Sequence, residues 1–134
     1  MSSQPLRRTF ENLHCLEIQS FVRGYHAYID NWTPAIGQTL LVKREPTNPK
    51  DKNAVAVYEE DCIVGHVPYN LVLCLSRFLA RDVNKAFAEV TGGKVNRGAG
   101  YGLEIPCVYR IYGPKTYEDK LKELTDSMKA AGHI

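Results

Sequence analysis

A chain of 134 residues can bury one hydrophobic core but is too short for two independent domains. Its apolar content of 44% excludes a wholly disordered chain, and no stretch approaches the ~18 apolar residues of a membrane span. The net charge of +2 is too small to indicate a nucleic-acid coating protein. Because residues 1–9 are polar and lack a signal sequence, we expect an intracellular protein, nuclear or cytoplasmic, and not a secreted one.

The chain begins with a polar segment, 1–12, that we expect to be flexible, and a folded domain is expected over 13–113. Alternation of apolar and polar residues predicts strands at 14–23, 39–44, 54–58, 62–67, 86–91 and 103–112. Pro68 and helical spacing after it predict a helix to about residue 81. The fold class is therefore mostly β, with about six strands and one inserted helix. The strands are expected to form a strongly curved antiparallel sheet or an OB-like or SH3-like β-barrel.

The C-terminal segment, 114–134, is predicted to form an amphipathic helix. Its apolar residues form one narrow stripe of Tyr117, Leu121, Leu124 and Met128. This stripe is expected to pack on the domain, because a stripe of this spacing usually belongs to a core. The alternative is that it binds a protein partner.

The cysteines give no sign of a metal site, a cofactor or a disulfide framework. Cys15, Cys62, Cys74 and Cys107 stand singly in apolar stretches, which is typical of small core residues. Cys62 and His66 share one predicted strand and are expected on the same face of it. A thiol enzyme would need a third, orienting group that the sequence does not offer, so we expect a binding domain and no catalysis.

Three long loops separate the predicted elements. An aromatic loop runs from Gly24 to Gly37, and a turn-rich loop with two prolines runs from Glu45 to Asn53. The glycine-rich span 92–102 is expected to be flexible; its glycines precede a strand rather than a helix, which argues against a phosphate-binding loop. Lys94 and Arg97 in this span can still contact a phosphate backbone.

The stretch Glu45-Pro46-Thr47-Asn48-Pro49-Lys50-Asp51-Lys52-Asn53-Ala54 carries the most informative motif, together with the Gly65-His66 strand before a helix. With a strand that ends in Arg23-Gly24-Tyr25, this combination resembles the HIRAN domain over about Leu16 to Gly113. The resemblance implies an OB-like barrel that holds the 3′ end of single-stranded DNA. It also implies a setting in DNA repair and the nucleus.

The resemblance further implies a role for each matching residue. Asp51 would accept a hydrogen bond from the free 3′ hydroxyl and repel a terminal phosphate. Arg23 and His66 would hold phosphates, Tyr25 would stack on a base, and Asn48 would reach a base edge or order the loop. Lys50, which does not match the family pattern, is expected to hold a phosphate as well.

Structural roles compete with these at several positions. Asp51 can serve only to cap a turn beside Pro49, and Asn53 is assigned to structure. Tyr25 can be a core aromatic residue, and His66 can bond to the backbone.

The chain also departs from the family pattern. The HIRAN domains of fork-remodelling translocases carry aromatic residues at the positions of Gly24 and Lys50. They carry a lysine at the position of Tyr69. The aromatic ring of Tyr69 and the positive charge of Lys50 are therefore expected to have exchanged sides of the DNA-binding pocket. The competing function is a protein-interaction adaptor that has kept the HIRAN fold without DNA-end recognition.

Overall fold

The structure is a computed structural model that describes residues 14–27, 32–96, 102–114, 122–123 and 126. Within these ranges, no helix is long and apolar enough to cross a membrane. The predicted flexible segment 1–12 lies outside the described residues. So do Arg97 and the whole stripe of the predicted C-terminal helix.

The described residues form a seven-stranded antiparallel sheet and one α-helix. The strands are β1 (His14–Val22), β2 (Thr39–Arg44), β3 (Val55–Glu59), β4 (Cys62–His66), β5 (Lys85–Val90), β6 (Val95–Asn96) and β7 (Leu103–Gly113). Helix α1 covers Tyr69–Leu79, and a single 3₁₀ turn covers Tyr25–Ala27. Six strands and α1 were predicted with small shifts at their ends. The short strand β6 was not, because it lies in the glycine-rich span that we expected to be flexible.

The sheet has the order β1-β7-β5-β2-β3-β4, with β6 paired to the start of β7. Strands β1 and β4 are therefore its two edges. They approach each other just beyond β1, where Arg23 and His66 form an isolated bridge with two backbone hydrogen bonds of 2.9 Å. Of the two expected arrangements the antiparallel sheet is found, and the barrel is wrong. The sheet does not close because the chain turns away at Gly24, whose φ is +78°, and Pro68 has no N–H to extend the pairing.

The core lies on one face of this curved sheet and is covered by α1. Ile18, Val57 and Tyr109 project from the strands into the core, and Leu71 and Leu75 of α1 pack with them. Proline suits the position before the first turn of a helix because a free N–H is not needed there, and Pro68 precedes α1. The helix therefore begins at the point where β4 ends, which places its first residue beside His66.

The cysteines divide into two pairs. Cys74 and Cys107 are buried as predicted, and burial raises the pKa of their thiols to about 11 and about 12. Cys15 and Cys62 are exposed, so the prediction that they belong to the core is wrong.

The expected shared face of Cys62 and His66 is also wrong. A β-bulge interrupts the pairing of β3 with β4, so that Cys62 lies opposite Glu59 while His66 lies opposite Ala56. Partners three residues apart on β3 point to opposite faces of the sheet. The bulge therefore separates the thiol from the imidazole.

Candidate nucleic-acid interface

The loop between β2 and β3 is ordered by its own side chains. The Oδ1 atom of Asn48 accepts hydrogen bonds from the N–H groups of Lys50 and Asp51, at 2.8 and 3.1 Å. The Oδ1 atom of Asp51 accepts one from the N–H of Asn53 at 2.8 Å. These are Asx turns, in which short polar side chains replace backbone partners. The loop is therefore a fixed platform. The turn roles considered for Asn48 and Asp51 are realised in it, and Asn53 takes part through its backbone N–H.

Glu45 ties this loop to β4. Its Oε1 atom lies 2.9 Å from Asn48 Nδ2, which donates to it, and 2.8 Å from His66 Nε2. Partial burial raises the pKa of Glu45, but the hydrogen bonds from Asn48 and His66 and the charge of His66 outweigh it, so that the pKa lies below its ordinary value. Glu45 was not predicted as a site residue, although it is the acidic residue at the start of the loop motif.

Arg23 lies beside His66 on the same face of the bridge. The two residues exchange both backbone hydrogen bonds, and such a pair projects its side chains to the same side. The Nε atom of Arg23 donates to Glu104 Oε2 at 2.9 Å, and the Glu104 side chain is fully buried. Sequence reasoning missed Glu104, because it is one polar residue within a long alternating strand. Each of these two basic residues is thus held by its own carboxylate.

Gly65 explains why β4 can approach β1 so closely. A Cβ atom at this position would lie 2.4 Å from Val22 Cγ1 and 2.8 Å from the carbonyl oxygen of Arg23. A shift of the Val22 side chain can relieve the first contact, whereas the second requires the backbone to move. The Gly-His pair in the sequence motif therefore combines the residue that permits the approach with the residue that makes the bridge.

One open groove of ≈ 540 Å³ collects most of the predicted residues. It lies between the β2–β3 loop, the end of β4 and the first turns of α1. Pro49, Val67 and Val72 give it an apolar floor. Its predicted members are Asn48, Lys50, Asp51, His66 and Tyr69, and Glu45 is added to them by the structure. The Tyr69 side chain is 79% exposed, so its ring is available to a ligand.

The remaining predicted residues lie elsewhere. Tyr25 is only 4% exposed and packs edge to face on Trp32, with the ring centres 5.8 Å apart. Its position matches the core role that we considered, and base stacking would require the ring to leave the core. Lys94 is exposed next to β6 and does not line the groove, while Arg97 lies outside the described residues.

The groove offers hydrogen-bonding and charged groups rather than a metal centre. In the part of the chain that the structure describes, no cluster of three or more His, Cys, Asp or Glu side chains could hold a metal ion. The groove instead presents two carboxylates, of Glu45 and Asp51, the ammonium of Lys50 and the His66 ring. This combination can accept a hydrogen bond from a hydroxyl and donate to a neighbouring phosphate.

Residues 17–112 match the family model described as the HIRAN domain. The chain belongs to the HIRAN domain family. The matched region includes every predicted site residue, from Arg23 to Arg97. A search of curated proteins finds no match to the sequence.

Solved structures share this HIRAN fold. The crystal structure of the HIRAN domain of human HLTF superimposes with a TM-score of 0.68 at 18% identity, covering 87% of this chain and 93% of that one. The NMR structure of the HLTF HIRAN domain in its DNA-bound conformation has a TM-score of 0.57 at 22% identity, covering 92% and 94%. A crystal structure of a protein from Lactobacillus plantarum has a TM-score of 0.51 at 17% identity, covering 75% and 99%.

Proposed function

We propose that this HIRAN domain is a binding module, and not an enzyme, that holds the free 3′ end of single-stranded DNA in the groove beside α1. The observation that carries the proposal is the convergence of Asp51, Lys50, His66 and Tyr69 on that one groove. The HLTF HIRAN domain, which has the same fold, is known in a DNA-bound conformation.

Asp51 is the proposed reader of the terminal hydroxyl. Its bond from the Asn53 N–H uses one oxygen, and a carboxylate has about four lone-pair sites, so the turn role and the hydroxyl contact are compatible. Glu45 adds a second negative charge to the same groove. A terminal phosphate would therefore meet two carboxylates, whereas a hydroxyl would find an acceptor.

Arg23 and His66 are the proposed ligands of the nearest backbone phosphate. Their side chains emerge together from the bridge, and Glu104 and Glu45 restrict their orientations. A guanidinium has five N–H donors, so its bond to Glu104 does not exhaust Arg23. Lys50, exposed on the loop, adds a further cation.

Tyr69 is the proposed stacking surface for the terminal base. We expect Tyr69→Ala to weaken binding by ~1 to 3 kcal/mol, the usual contribution of one base on an aromatic ring. Leu73→Ala is a matched control, because Leu73 is 57% exposed on the same helix but does not line the groove. Fluorescence anisotropy with a labelled oligonucleotide measures both. Equal losses in the two variants would exclude stacking on Tyr69.

The end-reading role of Asp51 is tested with oligonucleotides that differ only in a 3′ phosphate. We expect the phosphate to weaken binding by ~1 to 3 kcal/mol, through repulsion and loss of the hydroxyl's hydrogen bond, and a 5′ phosphate to matter little. Asp51→Ala should erase most of the difference between hydroxyl and phosphate ends.

Two lysines of the same loop provide the comparison for that experiment. Lys50→Ala should weaken binding to both ends alike and reduce its salt dependence, because Lys50 lines the groove. Lys52→Ala removes the same charge from an exposed position outside the groove and should have little effect. Wild-type protein that binds hydroxyl and phosphate ends equally would reduce Asp51 to a turn residue and refute end recognition.

A further inference from the structure

A second groove, of ≈ 420 Å³, lies where the end of β2 meets the start of β5 and the connection from α1 to β5. Its charged lining consists of Lys43, Arg44 and Lys85 against the single carboxylate of Asp82. Lys43, Arg44 and Lys85 are all exposed at the surface. The groove therefore has a surplus of positive charge, although the net charge of the whole chain is only +2.

The pairing of β2 with β5 makes this concentration of charge unfavourable for folding. Val42 lies opposite Ala86 in the last pair of the two strands, and Lys43 and Lys85 occupy the next position of the same register. Like charges in such a position repel and destabilise the sheet. The Lys43 ammonium lies 4.6 Å from the ring centre of Tyr58, which steadies it without neutralising it. An anionic ligand would remove the repulsion.

The groove between the β2–β3 loop and α1, called the first groove below, has the opposite balance of charge. Its two carboxylates, of Glu45 and Asp51, face one ammonium, that of Lys50, and the His66 ring, which is already bonded to Glu45. This suits a hydroxyl end but leaves little positive charge for the phosphates that follow it along a DNA strand. Arg23, His66 and Lys50 are assigned to the phosphate nearest the end, so salt-dependent attraction to the phosphates beyond it calls for cations on another surface.

The two grooves are close neighbours. Arg44 of the second groove is followed directly in sequence by Glu45 of the first. Helix α1 borders both, with Tyr69 at one end and Leu79 at the other, about 15 Å apart at 1.5 Å per residue. An OB-type domain contacts ~4 to 16 nucleotides, so a strand long enough to reach both grooves is an ordinary ligand for this class of fold.

We propose that the second groove binds the backbone phosphates of the same DNA strand, a few nucleotides from its 3′ end. This inference rests on the proposed function, and it assigns the two parts of binding to different surfaces. The first groove selects the chemistry of the end. The second groove supplies affinity that grows with strand length and falls with salt.

The double variant Lys43→Gln/Lys85→Gln tests the inference, because glutamine keeps most of each side chain and removes only the charge. Binding is measured to oligonucleotides of ~3 and ~12 nucleotides, both with free 3′ hydroxyl ends, by NMR titration and by anisotropy over a range of salt concentrations. We expect the double variant to bind the long oligonucleotide about tenfold more weakly than the wild type does. The slope of log K against log salt should fall by about 1.4, from two contacts of about 0.7 each. The short oligonucleotide should bind as it does to the wild type.

Lys52→Gln/Arg77→Gln is the control, since it removes two charges from exposed positions that line neither groove. Equal losses in the control and the test variant would overturn the inference, and so would equal losses for short and long strands. The same oligonucleotides with a 3′ phosphate separate the two ideas. A wild type that binds hydroxyl and phosphate ends equally would refute end reading, and the expected loss in Lys43→Gln/Lys85→Gln for the long strand would still support the second groove. A wild type that binds neither strand would overturn both.

Discussion

Replacing Gly65 with alanine will separate the two edges of the sheet and weaken DNA binding. The added Cβ would lie 2.4 Å from Val22 Cγ1 and 2.8 Å from the Arg23 carbonyl oxygen, and the second of these contacts is with backbone that cannot rotate away. Overpacking of this kind costs about 1–3 kcal/mol, and occasionally more. Because Arg23 and His66 meet only through this approach, we expect DNA affinity to fall further than the stability loss alone would require.

Gly93→Ala is the matched control for that experiment, because a Cβ at Gly93 meets nothing within 4 Å. Urea denaturation of both variants gives the free energy of unfolding, and anisotropy on the fraction that remains folded gives the affinity. If Gly65→Ala is as stable as the wild type, the two edges of the sheet can accommodate a Cβ atom at position 65. A loss of stability with unchanged DNA affinity would mean that the bridge does not position Arg23 and His66 to bind a phosphate.

The sequence predicts local structure well in this domain. Strand periodicity located β2 at Thr39–Arg44, and Pro68 marked the start of α1. The Asx and Pro residues of the β2–β3 loop predicted its turns, because their side chains bond within three residues of themselves. Residues of the candidate site that belong to this loop could therefore be found together before the structure was known.

Long-range pairing accounts for what sequence reasoning missed. Glu45 bonds to His66 across 21 positions, and Arg23 bonds to Glu104 across 81, separations at which no periodicity connects two residues. The sequence could not decide between a sheet and a barrel for the same reason, since the two edges of the sheet meet at one pair of residues from distant strands. Tyr25 illustrates a further limit: an aromatic residue in a loop carries no pattern that distinguishes a buried ring from a stacking surface.

Gly24 shows how the departure from the family pattern is built into the backbone. Its φ of +78° is a conformation that residues other than glycine rarely adopt, although a Cβ atom added there would meet nothing within 4 Å. An aromatic residue at position 24 would be strained by this φ angle and not by contact of its Cβ atom with neighbouring residues. Tyr69 is exposed in the lining of the first groove, and the stacking role proposed for its ring stays a prediction.

Arg23→Ala is expected to be the most destabilising single change in the site. It removes the cation from the Glu104 carboxylate, whose side chain is fully buried. Loss of one partner from a buried ion pair costs about 3–5 kcal/mol, because the other charge stays in a poorly solvated environment. Thermal and urea unfolding should both report the loss, and DNA binding should be lost with it.

A second variant separates the two roles assigned to Arg23. In Arg23→Met/Glu104→Leu both charges are replaced by apolar groups of similar size, a change that is often neutral or stabilising in a protein interior. We expect stability to return close to that of the wild type while DNA affinity stays low, because methionine cannot donate to a phosphate. Recovery of affinity together with stability would show that Arg23 serves only to pair with Glu104, and the phosphate would then belong to His66 alone.

Arg110→Met is the comparison for the loss of a guanidinium elsewhere. The ion pairs of Arg110 with Glu17 and Glu89 lie on the open face of the sheet, so this change should cost far less stability and leave DNA binding unchanged.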